Sequence, residues 1–550
     1  MSKIPLAGRR SCLVSESTAK SVARGAFVLL LSNFIVKIIG ICYKIPLTDM
    51  IGPRGMSYFH SAFEVQQILL TFSLSLPVAV SKLVAESASL GRGAEVRRIF
   101  RVTLITFSII GILGTAILIL GAPVFAAATV SVKAQYSIIA LAPSLFLYAI
   151  AATFRGMYQG LGNMVPTAAT QITEAIAKLF FGVLIADRCI KAGLSDEFVA
   201  AGAISGTTIG IVFSVLILIP LYFLPISRRR MTAIPSGGES APAGKLLRRL
   251  LGVAIPVTAS SFIVNLTSFL DLFCISNRLQ FIGMSEDVAA TVYGGYKSYA
   301  QLLFNLPPSL IASIGLGILP AIAAAHVTGK AEKRSGIINS ALRVTVLFAM
   351  PCAVGLAVLA DPILHMLFTA NPAEVSAAVP LMRTLGIASL FACIASVTTS
   401  CLQGINRLRL PLVSLAIGAS VKLICNFILV GIPAIGIHGA PIGTNLCYVT
   451  IIAINGSVLI RKAGLRLQLV QTVLKPLAAG AAMGVFCHFF YRAVVCPLGS
   501  SVACLVTIFC AAFFYLAVLL LLRAFTEEDL ALLPKGRRLA ALLRRAKLLK

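Results

Sequence analysis

The sequence predicts an all-α integral membrane protein with about fourteen transmembrane helices, each near the length that crosses a hydrocarbon core. Twelve form two pseudo-symmetric six-helix lobes around a central cavity, and two are added at the end. Three observations predict this class. The chain of 550 residues is 58% apolar and only 12% charged, with a mean hydropathy of +0.95, well outside the range of soluble domains. Apolar runs of roughly 20 residues, long enough to span a bilayer, recur along its whole length. The runs on either side of a polar linker also repeat one another.

Taken in order, the expected spans are 24–45, 59–85, 99–120, 136–155, 165–186 and 198–224 in the first lobe. The second lobe holds 250–275, 292–325, 337–360, 375–400, 411–430 and 437–460, and the added pair is 470–491 and 499–523. The first run is too long for a signal-peptide core and lacks a small-residue cleavage site, so it is expected to remain as a span. Between the lobes, SRRRMTAIPSGGESAPAGKLLRR (227–249) has the Pro, Gly and Ser of a linker. The lobes are therefore expected at 1–226 and 250–460, followed by the pair within 461–523 and a tail over 524–550. The tail ends in RRLAALLRRAKLLK, with leucines on one helical face and basic residues on the other, a pattern suited to an anionic leaflet or to plain solvation.

A formal charge of +28 suggests nucleic acid only until the positions of the charges are considered. Most of the 47 Lys and Arg fall in alternate loops: Arg92, Arg97 and Arg98, then Arg228 to Arg230, Arg248 and Arg249, then Lys330, Lys333 and Arg334, then Arg461 and Lys462. That asymmetry orients a multi-pass protein with both termini and the linker in the cytoplasm. No nucleic-acid partner is expected. The 13 cysteines include no C-x-x-C, and Cys274, Cys393 and Cys425 lie in apolar runs, so neither disulfides nor a metal site are predicted. No G-x-x-x-x-G-K-[ST] loop or H-E-x-x-H is present and the five histidines are scattered. Without an ATPase domain, movement of a substrate would draw on an ion gradient, the membrane potential or the substrate gradient.

The internal repeat is read from residues at matching places. SLFLYAIAATFRGMYQG (144–160) aligns with SLFACIASVTTSCLQG (389–404), and Gln159 to Lys178 spans 19 residues, as does Gln403 to Lys422. Leu76-Pro77 matches Leu319-Pro320, and Arg101-Val102-Thr103 matches Arg343-Val344-Thr345. Units of six helices return the chain to its starting side, so the two share orientation and enclose a cleft at their interface.

Charges inside spans are functional candidates by default. Lys37, Lys44, Glu64, Asp271, Lys297 and Lys422 interrupt apolar sequence, as do Glu174 and Lys178. Lys37 and Lys44 lie seven residues apart on one helical face, and several desolvated lysines suit an anionic ligand such as a pyrophosphate head. Lys44 is near enough to the outer end of its span to snorkel instead. Glu64 and Asp271 would balance the cations or take a coupling cation or proton. Glu174 and Lys178, four apart with the acid first, read as an intrahelical ion pair. Pro307 and Pro308 should break the eighth span.

Three stretches carry a family resemblance: LPVAVSKLVAES (76–87), GMYQGLGNMVPTAATQITEAIAKLFFGVLIA (156–186) and CLQGINRLRLPLVSLAIGASVKLICNFILVGIPAIGIHGAPIGT (401–444). They resemble the stage V sporulation protein B group of polysaccharide biosynthesis proteins. That group belongs with the lipid II flippases in the multidrug/oligosaccharidyl-lipid/polysaccharide exporter superfamily. The resemblance implies the two-lobe, fourteen-helix fold and an undecaprenyl-linked glycan moved from the inner to the outer leaflet of a bacterial plasma membrane. It also implies that Lys37 and Lys44 occupy the places of two cavity-facing basic residues, more often Arg in the family. Gln301 falls near the place of a helix 8 Arg, with Lys297 one turn earlier. The rival activities are a multidrug cation antiporter of the same fold, which would favour an acidic cavity, and a membrane-embedded glycan polymerase or ligase, which would favour catalytic groups on large outer loops. No cofactor is expected.

The orientation has a direct check. A cysteine introduced as Ser236→Cys in a cysteine-free background should react with an impermeant maleimide only after the cells are opened; reaction from outside intact cells would invert the topology.

Overall fold

Backbone groups within hydrocarbon have no water to bond, so each spanning segment must satisfy its own N–H and C=O groups. The computed structural model describes residues 6–129, 131–224, 241–465 and 468–524, and every element among them is helical. Residues 225–240 of the linker region and the tail from 525 onward lie outside the described residues. Thirteen of the described helices are long and apolar enough to cross a membrane. One, Leu31–Ser89, is 59 residues long and is interrupted at Gly52, whose φ of 68° and ψ of 170° suit only glycine. Divided there it supplies the first two expected spans, and the set becomes the fourteen read from the sequence. The outward faces are apolar, with Phe509 66% and Phe513 73% exposed, as lipid-facing side chains must be. This is a multi-pass integral membrane protein.

The chain separates into two compact units, Met1–Leu272 and Phe273–Lys550. The division falls inside the Ala243–Phe281 helix, beyond the linker where the lobes were expected to part. Local contacts give the reason. The first half of that helix buries Leu246, Leu250 and Ala254 in the core of the first unit. Its Thr258 meets Ser75 at 2.6 Å, and Asn265 donates to the Thr71 hydroxyl at 2.8 Å. Arg249 reaches both Glu86 at 3.0 Å and Glu95 at 3.1 Å.

In the first unit, α1 (Leu6–Ser89), α2 (Gly93–Ala127), α4 (Pro143–Gly160), α5 (Val165–Lys191) and α6 (Asp196–Phe223) are the long helices, with the short α3 (Gln135–Leu141) leading into α4. Lipid gives no hydrophobic drive for helices to associate, so close approach through small residues does much of the packing. A Cβ on Gly206 of α6 would lie 2.6 Å from the Gly182 Cα of α5, and one on Gly160 of α4 would lie 2.7 Å from the Ser81 carbonyl of α1. Arg54, just past the bend, donates from Nε to Asp196 at 2.6 Å and ties the corner to the start of α6.

The second unit repeats these crossings. A Cβ on Gly404 would lie 2.8 Å from Ile322, matching Gly160 on α1, although the contact has slid along the partner helix. A Cβ on Gly206 would be 2.8 Å from the Lys178 carbonyl, and one on Gly443 3.3 Å from the Lys422 carbonyl. The two lysines paired by the sequence repeat therefore sit at equivalent crossings. The eighth span breaks at Asn305, with Pro307 and Pro308 in the first turn of Leu306–Val327, close to where the prolines required. Just ahead lies a π-helical turn, Tyr296–Gln301.

The tight crossings predict opposite outcomes for two Gly→Ala changes. Gly252→Ala, with open space at its Cβ, gains up to about 1 kcal/mol of helix propensity. Gly206→Ala should instead lose about 1–3 kcal/mol through overpacking. Thermal unfolding of the purified variants in detergent checks the order.

Candidate functional site

In the first unit, Lys37 and Lys44 are carried by the first half of α1, whose opposite face packs through Ser32, Tyr43 and Leu47, all buried. Ser32 donates to the Ala168 carbonyl at 3.1 Å and Tyr43 to the Ala203 carbonyl at 2.8 Å, which fixes the rotation of the helix. With that face inward, Lys37 is exposed on the unit and Lys44 half-buried. Glu64 is half-buried on the second half of α1, and Asp271, one residue before the division between units, is 1% exposed.

The expected pair of Glu174 with Lys178 is corrected by the structure. Arg155 of α4 donates from Nη2 to Glu174 Oε2 at 2.8 Å, and Tyr148 donates to Glu174 Oε1 at 2.6 Å. The same guanidinium donates to Ser214 of α6 at 2.8 Å and Thr170 of α5 at 3.3 Å. A guanidinium offers five donors in a planar fork and can bond several helices at once; a lysine ammonium on the same helix as the acid cannot. Lys178 instead places its Nζ 5.4 Å from the Tyr43 ring centroid and 5.6 Å from that of Phe63.

In the second unit, Lys297 and Gln301 share the π-helical turn. Such turns alter the side-chain register and are frequent at functional sites. Lys297 is buried, its Nζ 5.8 Å from the Tyr293 ring centroid. The Gln301 amide oxygen is buried without a hydrogen-bond partner among the described residues. Lys422 is half-buried in the same unit.

Two arginines escaped the sequence reading. Arg155 was the sole charge in an apolar stretch whose repeat partner carries Thr399, and that mismatch was the available signal. Arg343, 2% exposed, donates from Nη1 to Gln471 at 2.8 Å and binds the start of the thirteenth span to the second unit.

Comparison with known proteins identifies the family and the fold. The model of the family described as polysaccharide biosynthesis protein matches residues 22–326, more than half of the chain. The chain belongs to this family. Among its relatives, Stage V sporulation protein B of Bacillus subtilis is 24% identical over 521 residues, covering 93% of this chain and 97% of that one. Lipid II flippase MurJ of the same organism is 24% identical and covers 85% of this chain and 88% of that one. The fold is shared with a solved structure of Lipid II flippase MurJ in an inward closed conformation, with TM-score 0.62 and 16% identity over 90% of this chain and 98% of that one. An inward-facing multidrug resistance MATE family transporter of the MOP superfamily also has TM-score 0.62 at 16% identity, over 78% of this chain and 94% of that one.

A double-mutant cycle tests the reassigned pair. Arg155→Met takes from Glu174 the partner that also bonds Thr170 and Ser214, leaves it at best Lys178 on its own helix, and should cost up to about 3–5 kcal/mol, most of it recovered by adding Glu174→Leu. Lys178→Met should cost far less, whereas an intrahelical Glu174–Lys178 pair would reverse that order in thermal melts.

Proposed function

We propose that this protein is a flippase that moves an undecaprenyl-pyrophosphate-linked glycan, lipid II or a related oligosaccharide lipid, from the inner to the outer leaflet of a bacterial plasma membrane. The observation that carries the reading is the set of lysines kept within apolar spans: Lys37 and Lys44 in the first unit, Lys297 and Lys422 in the second. A cation at the centre of a span costs about 2.5–3.5 kcal/mol on insertion scales. A passing diphosphate offsets that cost when bound, and no organic cation would. Family membership and relatives named as a lipid II flippase and a sporulation protein support the same substrate class. The fold shared with a multidrug transporter does not weigh against it, because cations lining the path would repel an organic cation.

Movement would proceed by alternating access, with the lysines passing the pyrophosphate while the glycan crosses. Lysine carries a compact charge on a flexible stem and can follow the phosphate and release it. Glu64 and Asp271 balance the cations in the empty state or take a coupling cation or proton. With both termini cytoplasmic, the substrate would be loaded from the side on which it is made. The protein does no covalent chemistry on this reading.

Reconstitution into vesicles with fluorescent lipid II tests it. Wild-type protein should expose the lipid in the opposite leaflet, and Lys37→Ala and Lys37→Gln should each lose a charge-assisted contact of about 1.5–3 kcal/mol, a tenfold to hundredfold loss in affinity. Lys37→Arg should keep part of the activity. Wild-type transfer by a well-folded Lys37→Ala protein would remove the phosphate from the argument.

A further inference from the structure

Resting on the flippase reading, and deepening it, we propose that Lys178 binds the phosphate of the transported lipid and that Arg155 is a positioning residue, which holds Glu174 away from Lys178 and so leaves its ammonium open to a ligand. Both oxygens of the Glu174 carboxylate are engaged, one by Arg155 and the other by Tyr148. The nearest acid on the helix of Lys178 is therefore committed elsewhere. Among the described residues Lys178 makes no ion pair or hydrogen bond, and its ammonium is held against the rings of Tyr43 and Phe63.

Those rings alone do not account for a lysine there. A ring face attracts a cation through its quadrupole but leaves the net charge in place, and Lys44, the residue after Tyr43 on α1, adds a second positive charge to the same neighbourhood. Two cations near one another in a medium of low dielectric repel strongly, and a divalent or higher anion lying between them removes that repulsion. The Tyr43 hydroxyl is bonded to α6, so its ring is a fixed platform that keeps Lys178 extended toward α1, the helix of Lys44. Lys178 thereby moves from a structural pair to the same side of the chemistry as Lys37 and Lys44.

If Arg155 acts only through Glu174, its removal should be harmful because the freed carboxylate captures Lys178, and removal of Glu174 as well should reverse the harm. Vesicles holding wild type, Lys178→Gln, Lys178→Arg, Arg155→Gln, Arg155→Gln/Glu174→Gln and, as a control on the same helix, Lys191→Gln would be assayed at matched amounts of folded protein. The probes are fluorescent lipid II, undecaprenyl pyrophosphate without sugar, and inorganic pyrophosphate alone by equilibrium dialysis. Lys178→Gln should raise the half-saturating concentration of both lipids about tenfold to a hundredfold and weaken pyrophosphate binding by a similar factor. Lys178→Arg should lose less, and Lys191→Gln should match wild type. Arg155→Gln should resemble Lys178→Gln in half-saturation, and the double variant should return to within a few-fold of wild type. Wild-type half-saturation and pyrophosphate binding in Lys178→Gln would overturn the assignment of Lys178. A double variant that regains thermal stability but not half-saturation would overturn the role of Arg155. Should wild type move neither lipid, the flippase reading fails, and loss or retention of pyrophosphate binding in Lys178→Gln still decides the site.

Discussion

A carboxylate buried in a membrane span takes the partner that can satisfy it most completely, and in this protein the choice made by Glu174 determines what the neighbouring charges are free to do. Arg155 reaches it from another helix and, with the same planar group, also bonds Thr170 and Ser214. The resulting network joins α4, α5 and α6. Breaking such a buried pair is far more damaging than never having had it, because the remaining charge is left without compensation. The pair is therefore the polar anchor of three helices, and Lys178 lies instead over the Tyr43 and Phe63 rings of α1.

Close packing places that chemistry. Glycines let α6 approach the α5 backbone at the Lys178 carbonyl, and the equivalent approach recurs at Lys422 in the second unit. In both cases the lysine lies where two helices touch almost backbone to backbone, so a small rotation of either helix would reposition its side chain. Lys297 reaches its place by another route, on a π-helical turn that shifts the register just before the helix restarts at Leu306. The two units repeat their scaffold more faithfully than their charges: Arg155 and Glu174 face Thr399 and Gly418 in the repeat alignment.

Much of the fold was legible in the sequence because the bilayer imposes a length and a composition on every span. The runs of apolar residues, the proline break of the eighth span and the repeat between Gln159–Lys178 and Gln403–Lys422 all have counterparts in the structure. The break between the first two spans was legible too, since the expected spans 24–45 and 59–85 left a connection that contains Gly52-Pro53, a dipeptide that marks turns. The division within the Ala243–Phe281 helix was hidden because it depends on which tertiary contacts each half makes, and the linker's composition pointed elsewhere. The site was read less well. Spacing of four residues made Glu174 and Lys178 look like a pair, because sequence displays neighbours along a helix and conceals the arginine that folding brings from the next one.

Lys178 is held against aromatic rings, those of Tyr43 and Phe63. A cation over a ring is stabilised by about 0.5–2 kcal/mol, whereas a carboxylate at contact distance in a dry interior would hold it far more firmly. On the flippase reading the difference matters, because the protein would bind an anion and let it go. A phosphate arriving beside a ring-held ammonium competes with a weak, directionally loose attraction and leaves the ring intact when it departs. The same phosphate arriving beside a lysine–carboxylate pair would have to displace a full charge and strand it. On that reading, keeping Glu174 occupied by an arginine that never needs to release it, and resting Lys178 on aromatic faces, would separate the permanent electrostatics of the fold from the transient electrostatics of transport.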